Sequence, residues 1–71
     1  VGGNEPPASE DARRWRHSLR NELNVITMAT ATAAGLIDHG ESLERVRQHL
    51  ARAEAACRRC HDLLVDWPDG A

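Results

Sequence analysis

A histidine held off an apolar stripe is the first chemical feature of this 71-residue chain. At about 100° per residue, Trp15, Leu19, Leu23 and Ile26 share one face of a helix. His17, Asn21, Asn24 and Met28 follow at i, i+4, i+7 and i+11 on the opposite face. An imidazole is a good nucleophile near neutral pH, because its own pKa leaves it largely uncharged there. An amide one turn along can orient a water or a phosphoryl oxygen. The competing reading is a solvated helix face that carries a histidine by chance, since exposed polar faces are normal on surface helices.

A second group of chemistry-bearing residues is Cys57-Arg58-Arg59-Cys60-His61. Its C-x-x-C-H order reads as a c-type haem attachment sequence, with both thiols on the vinyl groups and His61 on iron. Zinc is another reading, through Cys57, Cys60 and His61, with only His17 to suggest as a fourth ligand. Against both stands the position of the two cysteines on an apolar seam, where small buried residues are expected anyway. With two Trp and no Phe or Tyr, the chain also has no aromatic set to wall a porphyrin. Thiols at i, i+3 on one helix would constrain little as a disulfide. Reduced, buried cysteines of a cytoplasmic protein are therefore the expectation, with no metal.

The elements that must position these groups are helical. After a leader, Val1–Ala8, Ser9 is the expected N-cap, with Glu10 and Asp11 in the first turn. Helix one is expected over 9–37, with apolar positions at Trp15, Leu19, Leu23, Ile26, Ala29 or Thr30, Ala33 and Leu36 or Ile37. Its small-residue segment Thr27–Gly35 has mediocre helix propensity, so packing must hold it. That segment suits close helix approach, and equally a smooth surface where a partner docks below His17.

A loop follows at 38–41. Gly40 suits a left-handed C-cap and Ser42 can cap the next helix. His39 reads as a loop histidine without a special role. Helix two is expected over 42–66, with Leu43, Val46, Leu50, Ala53, Cys57, Cys60, Leu64 and Trp67 forming a heptad seam. Trp67-Pro68-Asp69-Gly70 ends it, and 68–71 is a tail.

The size and charge of the chain bound its class. So short a chain seldom buries enough core alone. Phe and Tyr are absent and only two Trp are present, so aliphatic residues and alanines must do the packing. The fold class expected is all-α: an antiparallel helical hairpin that dimerises into a four-helix bundle, most economically as a C2 homodimer. A net charge of −2 leaves no basic footprint for nucleic acid. No apolar run is long enough for a membrane span. The chain starts at Val1 with no signal-peptide pattern, and so reads as a processed chain or a piece of a longer one.

The run His17-Ser18-Leu19-Arg20-Asn21-x-Leu23-Asn24-x-Ile26 resembles the H-box of two-component sensor histidine kinases, in their dimerisation and histidine-phosphotransfer domain. The histidine, the aliphatic residue, Arg20, Asn21 and Leu23 match in place. Ser18 stands where the family usually has an acid, and Glu22 where it often has proline. More weakly, Arg52 to Trp67 resembles the family's second helix, with Leu63-Leu64-Val65-Asp66 near its end. The resemblance implies that His17 is a phosphoacceptor that exchanges phosphate with the aspartate of a response-regulator receiver domain. It implies that Asn21 positions the water or phosphoryl group. The family's acid after the histidine accepts or orients its proton. Ser18 cannot do this, and Glu22 is a doubtful substitute because its wheel position faces the seam edge. Arg20, Asn24 and Met28 are the expected partner-docking residues.

No G-x-x-x-x-G-K-[ST] loop is present, so the chain itself binds no cofactor. The resemblance therefore implies ATP and Mg on a separate kinase domain, in cis or in trans. Phosphotransfer and partner dephosphorylation are better supported than autophosphorylation. The alternatives are a stand-alone histidine phosphotransfer protein and a degenerate hairpin that keeps the dimer and has lost the chemistry.

Overall fold

The computed structural model describes residues 7–66, with side chains from Glu10 to Asp66. Two helices, α1 (Pro7–Asp38) and α2 (Leu43–Asp66), pack against each other as an antiparallel pair. Among the described residues there is no strand. The leader up to residue 6, the expected seam position of Trp67 and the 68–71 tail lie outside the described residues.

Helix α1 begins at Pro7, two residues ahead of the expected start at Ser9. Proline is suited to that start, because the first amides of a helix have no intrahelical acceptor to lose. The other end closes as a Schellman motif. Gly40 adopts φ +70°. Its N–H donates to the Ile37 carbonyl at 3.0 Å, and the Glu41 N–H donates to the Leu36 carbonyl at 2.9 Å. His39 adds a cap of its own, its backbone N–H 3.1 Å and its ring Nδ1 2.8 Å from the Gly35 carbonyl. Helix α2 then starts on Ser42, whose Oγ accepts the Arg45 N–H at 3.3 Å. Each reversal of the chain thus satisfies backbone groups that the helix ends would leave orphaned.

The packing row on α1 runs Ala12, Trp15, Leu19, Glu22, Ile26, Ala29, Ala33, Leu36, in alternating steps of three and four. On α2 it runs Val46, His49, Ala53, Ala56, Cys60, Leu63. The innermost residues are small: Ala29, Ala33, Ala53 and Ala56 are all buried, and Ala56 is 0% exposed. Small side chains let the backbones approach closely, and the Thr27–Gly35 segment is held in this way. Thr27 and Thr30 turn their hydroxyls onto the Leu23 and Ile26 carbonyls one turn back, at 3.0 and 2.9 Å. That bond satisfies a hydroxyl which would otherwise compete with the helix.

This row differs from the expected seam. Val46, Ala53 and Cys60 are shared by both, but Leu43, Leu50, Cys57 and Leu64 are exposed. On α1, Leu23 and Ile37 are exposed likewise, and Ala29 and Leu36 take the inner positions in place of Thr30 and Ile37. The expectation of two buried thiols is corrected in the same way: Cys60 is buried and Cys57 is exposed. The reason is angular. A helix has one row that meets a single neighbour, and the residue just after each of Glu22, Ala29, Leu36, His49, Ala56 and Leu63 lies beside that row, not in it.

Because the helices are antiparallel, equal offsets fall on the same side of the pair. One broad side therefore carries Leu23, Thr30 and Ile37 beside Leu43, Leu50, Cys57 and Leu64. The other carries Ser18, Val25 and Thr32 beside Arg45, Arg52 and Arg59. The molecule measures 57 × 23 × 12 Å, a single layer of helix. A single layer has no second element to cover its apolar side.

Candidate functional site

His17 lies near the end of the hairpin away from the loop. Among the described residues, polar contacts between the helices fasten that end. The Trp15 indole N–H donates to the Leu63 carbonyl at 2.8 Å. This carbonyl is in the last turn of α2, where helix carbonyls begin to lack intrahelical donors. One turn below His17, Arg59 Nε donates to Glu22 Oε1 at 2.9 Å. His17 stands between these two contacts, level with His61 and Asp62, on the side of α1 turned away from α2.

The imidazole is exposed. It shares a shallow recess with Arg13, Arg16 and Arg20. These cations stand four residues before, one before and three after the histidine, all within one helical turn of it. Arg16 and Arg20 are exposed, and Arg14, the remaining arginine of the segment, is occupied by Asp11 at 2.9 Å. The row that bears Leu23 continues seven residues back to Arg16, so the cationic recess adjoins the end of the apolar side. Chemically, this is a nucleophilic nitrogen bordered by guanidinium groups, which bind phosphoryl oxygens with directed, charge-assisted hydrogen bonds.

The other residues expected at the site are distributed along α1. Asn21 is exposed one turn from His17, outside the arginine recess. Arg20 is the one expected docking residue beside the histidine. Asn24 is exposed two turns on. Met28 is 70% exposed and belongs to a separate recess with Val25, Thr32, His49 and Arg52. That recess lies about 16 Å from His17 along the axis, at 1.5 Å per residue. Glu22 faces α2, with its carboxylate held by Arg59 and its side chain 22% exposed. Ser18 lines a third recess with Glu22, Arg59, Asp62, Leu63 and Asp66, across the helix from the arginines.

The sequence analysis did not place Arg13 and Arg16 beside His17, where the structure puts them in one recess. The signal was present as Arg13-x-x-Arg16-His17-x-x-Arg20, cations at the spacings that surround one helix position.

The cysteine run is split by the fold. Cys60 packs inside the hairpin, where burial above all pushes its thiol pKa up, with Glu22 and Cys57 adding and Arg59 opposing. Cys57 and His61 are exposed. Among the described residues no three His, Cys, Asp or Glu side chains come together as a metal-binding group. Among the described residues, too, no helix is long and apolar enough to cross a membrane. No family model, curated protein or solved structure matches the chain.

Proposed function

We propose that this hairpin is the phosphoacceptor and dimerisation unit of a two-component histidine kinase. In this reading His17 carries the phosphoryl group and exchanges it with a receiver-domain aspartate. The supporting observation is the placement of His17: outward on α1, exposed, and bordered by arginines. Phosphoryl transfer demands mainly positioning and charge stabilisation, and that surface offers both. The apolar side of the layer serves the dimer: two copies joined through Leu23, Ile37, Leu43, Leu50 and Leu64 make a four-helix bundle. His17 remains outside such a bundle, open to a receiver domain. ATP and Mg belong to a kinase domain in cis or in trans.

Glu22 is engaged by Arg59, and Ser18 is no base. Proton removal from His17 then falls to water or to the partner domain. This favours exchange with a receiver over rapid autophosphorylation. It also gives substance to the second reading, a dimerisation module without phosphotransfer.

The test is to present phosphorylated receiver domains to the purified chain. The expected product is an acid-labile, base-stable phosphate that disappears in His17→Gln while helicity is retained. Asn21→Ala should leave labelling intact and slow the loss of phosphate from the receiver. Label on His39, His49 or His61 would contradict the assignment of His17. No label from any receiver of a broad panel would favour the dimerisation module.

A further inference from the structure

The arginine recess assigns the recognised chemistry more narrowly. We propose that Arg13, Arg16 and Arg20 form an anion cradle through which His17 takes the phosphoryl group from acyl phosphates as a class, small molecules included. The inference rests on His17 being the phosphoacceptor, as proposed above.

The argument begins with where the charge lies. A docking surface for a folded partner would be spread along the hairpin, and the expected docking residues Asn24 and Met28 are indeed remote from the histidine. Arg13, Arg16 and Arg20 instead line the same recess as His17. Asp11 engages Arg14, and among the described residues no carboxylate pairs with Arg16 or Arg20. A phosphoryl dianion beside His17 therefore meets several positive charges, whatever molecule delivers it. A receiver phosphoaspartate is an acyl phosphate, and so is a small carboxylic–phosphoric anhydride such as acetyl phosphate. Both present the same dianion on the same leaving group.

The step balances without any further reactant. The lone pair of the unprotonated imidazole nitrogen attacks phosphorus, and an N–P bond forms. The P–O bond to the acyl group breaks, and the carboxylate leaves with that electron pair. The other ring nitrogen releases its proton to water. Arginines placed around the phosphoryl oxygens screen the repulsion between nucleophile and dianion and stabilise the charge that spreads over those oxygens in the transition state.

The experiment uses the full chain with acetyl phosphate in one arm and a phosphorylated receiver domain in the other. Labelling is followed by 31P NMR, which distinguishes an N–P from an O–P bond. The expected result is a phosphohistidine signal from acetyl phosphate that is absent in His17→Gln. Arg16→Ala combined with Arg20→Ala should slow that labelling about tenfold, a moderate loss because both groups are exposed. Helicity and sedimentation of this variant should match the parent, and Arg16→Lys with Arg20→Lys should recover part of the rate. Inorganic phosphate should shift the His17 imidazole resonances of the parent and leave those of the alanine variant in place. If the receiver labels His17 and acetyl phosphate does not, the cradle is refuted and the proposed function stands. Equal rates from acetyl phosphate in the parent and the double alanine variant would also refute the cradle. If acetyl phosphate and every receiver of a broad panel leave His17 unlabelled, the proposed function and the cradle fail together.

Discussion

Leu50→Ala is the substitution that isolates the apolar side of the hairpin from its interior. Leu50 is 48% exposed, while Val46 and Ala53, its neighbours on the packing row, are 5% and 7% exposed. Truncating Leu50 therefore costs the hairpin only the half of that side chain already covered. It also removes exposed surface that the proposed dimer would cover. Full burial of a leucine side chain contributes about 1.5–3 kcal/mol. About half of that remains to be gained at Leu50, so ~1 kcal/mol per subunit is at stake. Two-fold symmetry counts the residue twice, giving ~2 kcal/mol per dimer and a dissociation constant weaker by about 30-fold. Sedimentation equilibrium over a concentration series measures this directly, with circular dichroism at matched concentration to follow the helices. The expected outcome is a shifted monomer–dimer equilibrium. A Leu50→Ala chain that dimerises as tightly as the parent would refute the argument, as would a parent that stays a folded monomer at every concentration.

Two further tests address the turns and the thiols. Gly35 and Gly40 both have open space where a Cβ would stand, yet they should respond with opposite sign. Gly35→Ala should raise thermal stability by about 0.5–1 kcal/mol, because the glycine is inside α1. Gly40→Ala should lower it by about 1–2 kcal/mol, since φ +70° disfavours any residue with a Cβ. With iodoacetamide at mildly alkaline pH, Cys57 should react well before Cys60, and higher protein concentration should slow Cys57 as the apolar side is covered. Cys60 binds its proton more tightly when folded than when unfolded. Its contribution to stability is therefore complete below the ordinary thiol pKa and declines as pH rises through it toward the raised folded value. Equal reactivity of the two thiols in the folded chain, read by peptide mass spectrometry, would contradict the burial pattern.

The hairpin was legible in the sequence because its punctuation is local. Gly40 and Ser42 end one helix and start the next through bonds to residues within one turn, and such signals survive without knowledge of the rest. The choice of inner row was not legible. Val46, Ala53 and Cys60 belong equally to the row that meets α1 and to the row that carries Leu43, Leu50 and Leu64. Hydrophobicity favours the leucines. Close approach favours Ala29, Ala33, Ala53 and Ala56, whose virtue is small size, and size at an interface has meaning only once the opposite helix is known. The outward placement of His17 was legible because it stands apart from the apolar stripe. Arg13 and Arg16 were passed over because cations on a solvated face are ordinary until a nucleophile is placed among them.

The alanine interior has a mechanical consequence. A surface of small side chains offers few interlocking steps, so by itself it would let α1 slide along α2 at low cost. The Trp15–Leu63 bond and the Glu22–Arg59 pair act as pegs against that shear. Each is directional, and a displacement of one residue would break both at once. A neutral hydrogen bond contributes about 0.5–1.5 kcal/mol and a half-exposed ion pair no more, so the pegs bias the register without locking it. They are weak enough for a modest pull on either helix end to release. His17 lies between them, so the two contacts help to hold its height against α2.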